Sequence, residues 1–272
     1  MPSFYAHFQF GKEIIRKSPK GIKDIINTNI NSIDAFIVGL QGPDPLYFHN
    51  PIFYTSLNRE AGMVHHSSGL DFFIPASKYI RVNKHPEMIS YILGCITHYA
   101  LDSSCHPVII KHQKEEKISH RKVEREFDDY IMRMNFMKPE EIDLNFPLPL
   151  NKNLGIICSP FYKTANPSLM NTSIRDMRNT LGRLNSSSKV VRYAEYTFLS
   201  LIPPIKSVRD MIPLEENVYD FPDEYFKRNE EIYSAFNKSI PRSISLMEEM
   251  INCIEKGEPL SDEFSPDYLG HF

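Results

Sequence analysis

Tryptophan, long uninterrupted apolar runs, continuous strand-like alternation and an excess of charge of either sign are all missing from the 272-residue chain. A membrane-spanning helix needs about 20 consecutive apolar residues, and no run approaches that length. The 31 basic and 34 acidic residues leave a net charge of −3, which excludes a global cationic field for nucleic acid or anionic membrane and leaves only a local patch open. Cysteines are few and dispersed, at Cys95, Cys105, Cys158 and Cys253, so reduced thiols are expected rather than a disulfide framework. The opening MPSFYAHFQFGKEIIRK has neither an apolar h-region nor a small-residue cleavage signature. No signal peptide is expected, and a cytoplasmic location is. The absence of an internal repeat or low-complexity tract argues against a solenoid.

What is present is a 42% hydrophobic composition, enough to bury a substantial core. Apolar residues recur at helical spacing around 10–40, 86–104, 118–137, 172–202 and 223–256. Breakers separate these stretches, notably Gly42-Pro43-Asp44-Pro45 and the run from Pro139 to Pro149. An all-α, multi-helix single domain over 1–272 is predicted, with Pro139 to Pro167 as a long loop or subdomain crossing.

Two motifs carry chemistry. His98-Tyr-Ala-Leu-Asp102-Ser-Ser-Cys-His106 is followed by His120-Arg-Lys-Val-Glu124. Residues four apart share a helix face, so His98 points with Asp102 and His120 with Glu124. His98 and His106 would stand about 12 Å apart along a continuous helix. Zn–N distances are only about 2.0–2.1 Å, so one ion cannot join both, whereas Asp102 midway could serve adjacent ions. Pro107 disfavours helical geometry at His106 and is expected to free that imidazole to turn. A lone histidine on an apolar helix face is more often packed and hydrogen-bonded than a ligand. Imidazoles and carboxylates at two matched spacings instead suit zinc and similar ions, and the clustered cysteines of a structural zinc site are absent.

With His7 in SFYAHFQFGKEII, Asp44 in GLQGPDPLYFH and a histidine in MVHHSSGLDFF, these motifs resemble the zinc-dependent phospholipase C group, which also includes single-strand-specific nucleases. The resemblance covers the N-terminal half up to about Tyr130, leaving 131–272 as a helical completion without a matched motif. It implies one zinc environment from Asp44, His98, Asp102 and either His65 or His66, a second from His106, His120 and Glu124, and a third at His7, with Asp102 bridging. Family members commonly complete the third site with the mature N-terminal residue, often tryptophan. Here Pro2 would take that place after removal of the initiator methionine, the alternative being a frayed terminus.

The activity implied is hydrolysis of a phosphoric ester with two or three zinc ions: phospholipase C-like cleavage of a phosphodiester by a zinc-activated water, with Asp44 orienting it or accepting its proton. The partner would be a phosphodiester or phospholipid, with transient contact at a membrane surface. The alternatives are a nuclease or nucleotidase on the same trinuclear site, which would bring nucleic acid in as partner, and a non-catalytic metal-binding protein. Tyr47, Phe48, Phe53 and Tyr54 could wall a headgroup or stack bases, though aromatics at such density are more often core. His49, His85, His112 and His271 are expected to be surface or structural, and Cys105 to point away from the ligand face. Lys111 to Lys117 reads as a solvated connection between the motif helices.

Overall fold

The computed structural model describes residues 4–50, 53–142, 144, 147–213 and 221–272. The fold is all-α, with no strand among these residues. Eleven α-helices follow in order: α1 (Phe4–Lys17), α2 (Lys20–Ile26), α3 (Ile30–Gly39), α4 (Ser56–His65), α5 (Gly69–Asn83), α6 (Pro86–Glu116), α7 (His120–Met134), α8 (Leu154–Cys158), α9 (Pro167–Leu184), α10 (Lys189–Ser200) and α11 (Asp223–Lys256). A 3-10 turn, Asp44–Phe48, joins α3 towards α4, and another, Pro203–Met211, follows α10.

Helix α6 is the axis of the molecule. Tyr91, Ile92, Leu93, Cys95, Ile96 and Leu101 lie around every side of it and are all buried, the pattern of a helix enclosed by its neighbours rather than half-wetted. It packs against α3 on one side and α11 on the other. The helix also runs straight through Pro107, against the expectation that the chain would leave helical geometry at His106. Proline there removes one N–H to the Ser103 carbonyl, a local loss. It is outweighed by burial along the helix and by Arg242 of α11, which donates to Ser103 Oγ at 2.8 Å.

The helical stretch 10–40 divides into three helices, at Pro19 and at Asn29, whose side chain accepts from the Ser32 N–H and caps α3. One further expectation changes. Lys111 to Lys117 is not a connection but the last turns of α6, where His112 is buried and pairs with Glu116 and Glu231. The link to α7 is only Lys117 to Ser119. The described residues from Pro139 to Pro167 are largely irregular around α8, as the composition predicts.

A smaller apolar cluster, Leu184, Leu199 and Ile212, holds α9, α10 and the second 3-10 turn together. The chain ends in an irregular segment after α11 that returns across α6. Tyr99 Oη donates to the Pro266 carbonyl at 3.0 Å, and Phe264 and Tyr268 of that segment are fully buried. Among the described residues, no helix is long and apolar enough to cross a membrane.

Candidate metal centre

Each inner residue is delivered by a separate device. Helix α1 begins without a cap of its own among the described residues. Asp128 of α7 supplies one, accepting from the backbone N–H of Tyr5 (3.0 Å) and of Ala6 (2.7 Å), because the first N–H groups of a helix have no partner within it. That contact fixes the turn carrying His7.

Where α3 crosses α6, Gly39 and Gly94 oppose each other, and a Cβ on Gly94 would fall 2.8 Å from Gly39 Cα. The backbones therefore meet, and the Leu40 carbonyl comes to 3.2 Å from His98 Nδ1. A carbonyl only accepts, so Nδ1 carries the proton and the Nε2 lone pair faces inward. Gly42, with φ of 50°, turns the chain directly over the His98 ring; a Cβ there would lie 2.5 Å from Cδ2. Asp44 follows. His65, last in α4, donates from Nδ1 to the Ala61 carbonyl at 2.8 Å, again leaving Nε2 to the interior.

The inner residues converge on Asp102. His7 Nε2 lies 3.1 Å from Asp102 Oδ1, while His98 Nε2 (3.2 Å) and His65 Nε2 (3.9 Å) approach Oδ2. His65 Nε2 also lies 3.2 Å from Asp44 Oδ1. All five side chains are buried. Despite these separations, neither the three Nε2 atoms nor any oxygen of Asp44 or Asp102 has a partner in hydrogen-bond geometry. A buried polar atom without a partner costs about 1–3 kcal/mol. Lone pairs facing one another in a closed space fit a cation, and the nitrogen–oxygen donor set suits zinc. The Asp44 carboxylate accepts from no backbone N–H, so it does not form the Asx turn common for Asp before Pro.

Electrostatics divide the ligands. Burial, reinforced by His98, pushes His7 down to about 4 against the pull of Asp102. For Asp102 burial alone would raise the pKa, but His98 and His106 are among the groups that hold it well below the usual carboxylate range. Burial lowers His98, but Asp102 and Asp44 outweigh it and raise its pKa. Neutral imidazole and ionised carboxylate are the forms a metal binds, so a metal would displace a proton at His98.

A second, outer group lies beside the first. His120 Nε2 is 2.9 Å and His106 Nε2 3.7 Å from Glu124 Oε1, and the two imidazoles stack at 5.3 Å between centroids. His106 Nδ1 donates to the Tyr268 carbonyl at 2.7 Å, and His120 Nδ1 meets Gln113 Oε1 at 3.1 Å. Asp102 Oδ2 is 4.0 Å from His106 Nδ1, the nitrogen turned to Tyr268, so this carboxylate neighbours the outer group without joining its ligand atoms. Ligand atoms close enough to share an ion fall into three sets: His7, His98 and Asp102; Asp44, His65 and His98; His106, His120 and Glu124.

Of the two adjacent histidines only His65 enters these sets; His66 is exposed at the end of α4. Pro2 lies outside the described residues. Cys105 is buried, with Sγ directed at the Ile232 carbonyl, away from the ligands. Sequence patterns missed Asp128, although it stands one helical turn beyond Glu124 on the same face. The carbonyls of Leu40, Ala61 and Tyr268 carry no sequence signal at all.

Both groups lie under a cleft of about 690 Å³, into which His65, His106, His120 and Glu124 open. Tyr47, Phe48, Phe53 and Tyr54 form one wall, and Met177, Val208 and Met211 are on the lining too. Tyr47, Phe53 and Tyr54 are exposed, Phe53 to 68% and Tyr54 to 74%, whereas Phe48 packs against the main core. Tyr47 and Phe48 lie in the 3-10 turn, and Phe53 and Tyr54 between it and α4.

An all-α fold around histidine–carboxylate groups under an open cleft fits a metal-dependent hydrolase. A family model described as zinc-dependent phospholipase C matches residues 6–186. The chain belongs to that family. No curated protein and no solved structure matches it.

Proposed function

We propose that this protein hydrolyses phosphodiesters, phospholipids first among them, using two or three zinc ions. Asp44, His65, His98 and Asp102 would hold one ion, His106, His120 and Glu124 a second, and His7 with Asp102 a third. The observation that carries this reading is the set of buried, unpartnered lone pairs on His7, Asp44, His65, His98 and Asp102 beneath an open cleft. Bound zinc supplies Lewis acidity and a water-derived nucleophile near neutral pH.

The chain's own residues do the rest. Carbonyl anchors fix the tautomers of His65, His98 and His106, so each keeps a lone pair for a ligand instead of a proton. Asp44, whose carboxylate caps nothing, is free to orient the attacking water and take its proton. The exposed rings of Phe53 and Tyr54 at the rim support docking on an aggregated lipid, whose interface receives aromatic side chains. The same rings, with Arg121 also lining the cleft, support a nuclease or nucleotidase as the second reading. We read the chain as one working unit, because α11 and the C-terminal segment pack on α6. Its four free, buried cysteines favour a reducing, cytoplasmic setting.

Elemental analysis of purified protein, followed by rates on a soluble activated phosphodiester, phospholipid vesicles and single-stranded nucleic acid, tests the proposal. Zinc with hydrolysis of the ester and the lipid is expected. Zinc with nucleic-acid cleavage alone selects the second reading, and zinc without turnover sinks the enzyme. Asp44→Asn should lower turnover by about 10²-fold or more, the range of a lost acid–base group. Unchanged turnover with metal intact would remove Asp44 from catalysis.

A further inference from the structure

The family match ends at residue 186, yet the segment after α11 reaches the metal centre. Its path is closely determined. Tyr268 N–H donates to the His65 carbonyl at 3.2 Å, and Gly69 N–H to the Pro266 carbonyl at 3.1 Å. The Tyr268 ring packs against His65 (5.1 Å between centroids), His98 (5.8 Å) and Tyr99 (5.1 Å). Gly270, with φ of 79°, lies so close to α6 that a Cβ would fall 2.6 Å from the Ser103 carbonyl. Between these fixed points the Tyr268 carbonyl accepts from His106 Nδ1 at 2.7 Å.

We infer that this C-terminal strap is a working part of the outer metal group and that Tyr268 is its positioning residue. The strap's carbonyl keeps the His106 proton on Nδ1, and with it the Nε2 lone pair on the side of Glu124 and His120. The ring above His65 and His98 seats the carbonyl, so metal affinity at one site depends on chain beyond the part that defines the family. Leu269, the next residue, lines the cleft. The strap therefore touches both the ligand and the space a substrate would fill. This role rests on the zinc reading of His106, His120 and Glu124 made above.

Zinc titration against a competing chelator, on wild type and three full-length variants, tests it. Tyr268→Ala removes the seat, and Gly270→Ala drives the strap off α6. Each should weaken one equivalent of zinc by about 10–100-fold, the usual effect of losing a partner behind a ligand, with the remaining zinc held as in wild type. Tyr268→Phe keeps the ring and backbone and removes a buried hydroxyl that has no hydrogen-bond partner, so its titration should match wild type. Folded Tyr268→Ala and Gly270→Ala proteins that bind every equivalent normally would overturn the proposal. Should those two fail to fold, nitrogen-15 histidine spectra of the wild type decide: a proton on His106 Nδ1 supports the strap's role, and one on Nε2 refutes it. Wild type that takes up no zinc would overturn the metal centre itself, a result distinct from failure of the strap alone.

Discussion

The inner and outer metal groups use the same residue types but are built differently. His65 and His98 of the inner group are buried and anchored through backbone carbonyls, which no substitution of the anchoring residue's side chain removes directly. In the outer group, the His120 side chain is 31% exposed and leans on the side chain of Gln113. The inner group meets the cleft through His65 alone, while His106, His120 and Glu124 of the outer group all line it. The inner group should accordingly hold its geometry with or without metal, while the outer one is adjustable, as suits the side from which a substrate arrives.

The largest expected effect falls on the inner group alone, where Asp102 would serve two ions. Asp102→Asn should release more than one equivalent of zinc by elemental analysis; loss of a single equivalent would confine Asp102 to one ion. Gly94→Ala strikes only the inner construction, its Cβ falling 2.5 Å from the Phe36 carbonyl. Forcing an extra methyl into a filled crossing costs about 1–3 kcal/mol, so urea denaturation should show a loss of that size, together with weaker binding of the inner zinc. An unaltered midpoint would mean that the crossing can yield. Gln113→Ala, by contrast, should lower zinc affinity of the outer group by about tenfold and leave the inner equivalent as it was. A change in both would show the two groups to be coupled. The smallest effect belongs to the rim: replacing Phe53 and Tyr54 by serine should slow hydrolysis of vesicles roughly fivefold, equivalent to about 1 kcal/mol, at an unchanged rate on a soluble ester. Equal slowing on both substrates would move these rings from the interface into the site.

How much of this was legible in sequence follows from range. The pairs His98/Asp102 and His120/Glu124 were visible because helical periodicity is local, and their convergence follows from the spacing of two adjacent helices. The helices α6, α7 and α11 were legible for the same reason. Pro107 misled, since a local preference against helix was overridden by burial that only the tertiary structure reveals. The aromatics after Asp44 stayed open between wall and core because composition cannot tell a ring at a cleft from one on a packed face; Phe48 packs on the core, and Tyr47, Phe53 and Tyr54 are exposed. His65 and His66 could not be separated by spacing; the end of α4 separates them, turning one inward and one to solvent. Backbone carbonyls as anchors, including that of Tyr268 far along the chain, have no residue type to announce them.

Helix α6 also acts as a ruler. His98, Asp102 and His106 stand one turn apart on a single rod, and each step is about 6 Å, set by the pitch of the backbone rather than by any loop. A one-residue insertion between them would rotate everything beyond it by about 100° and scatter the three side chains to different faces. The turn from Lys117 to Ser119 lies beyond the last of the three, and it instead sets how His120 and Glu124 of α7 meet His106. Length variation in relatives should therefore be rarest between His98 and His106, where it would be lethal to function.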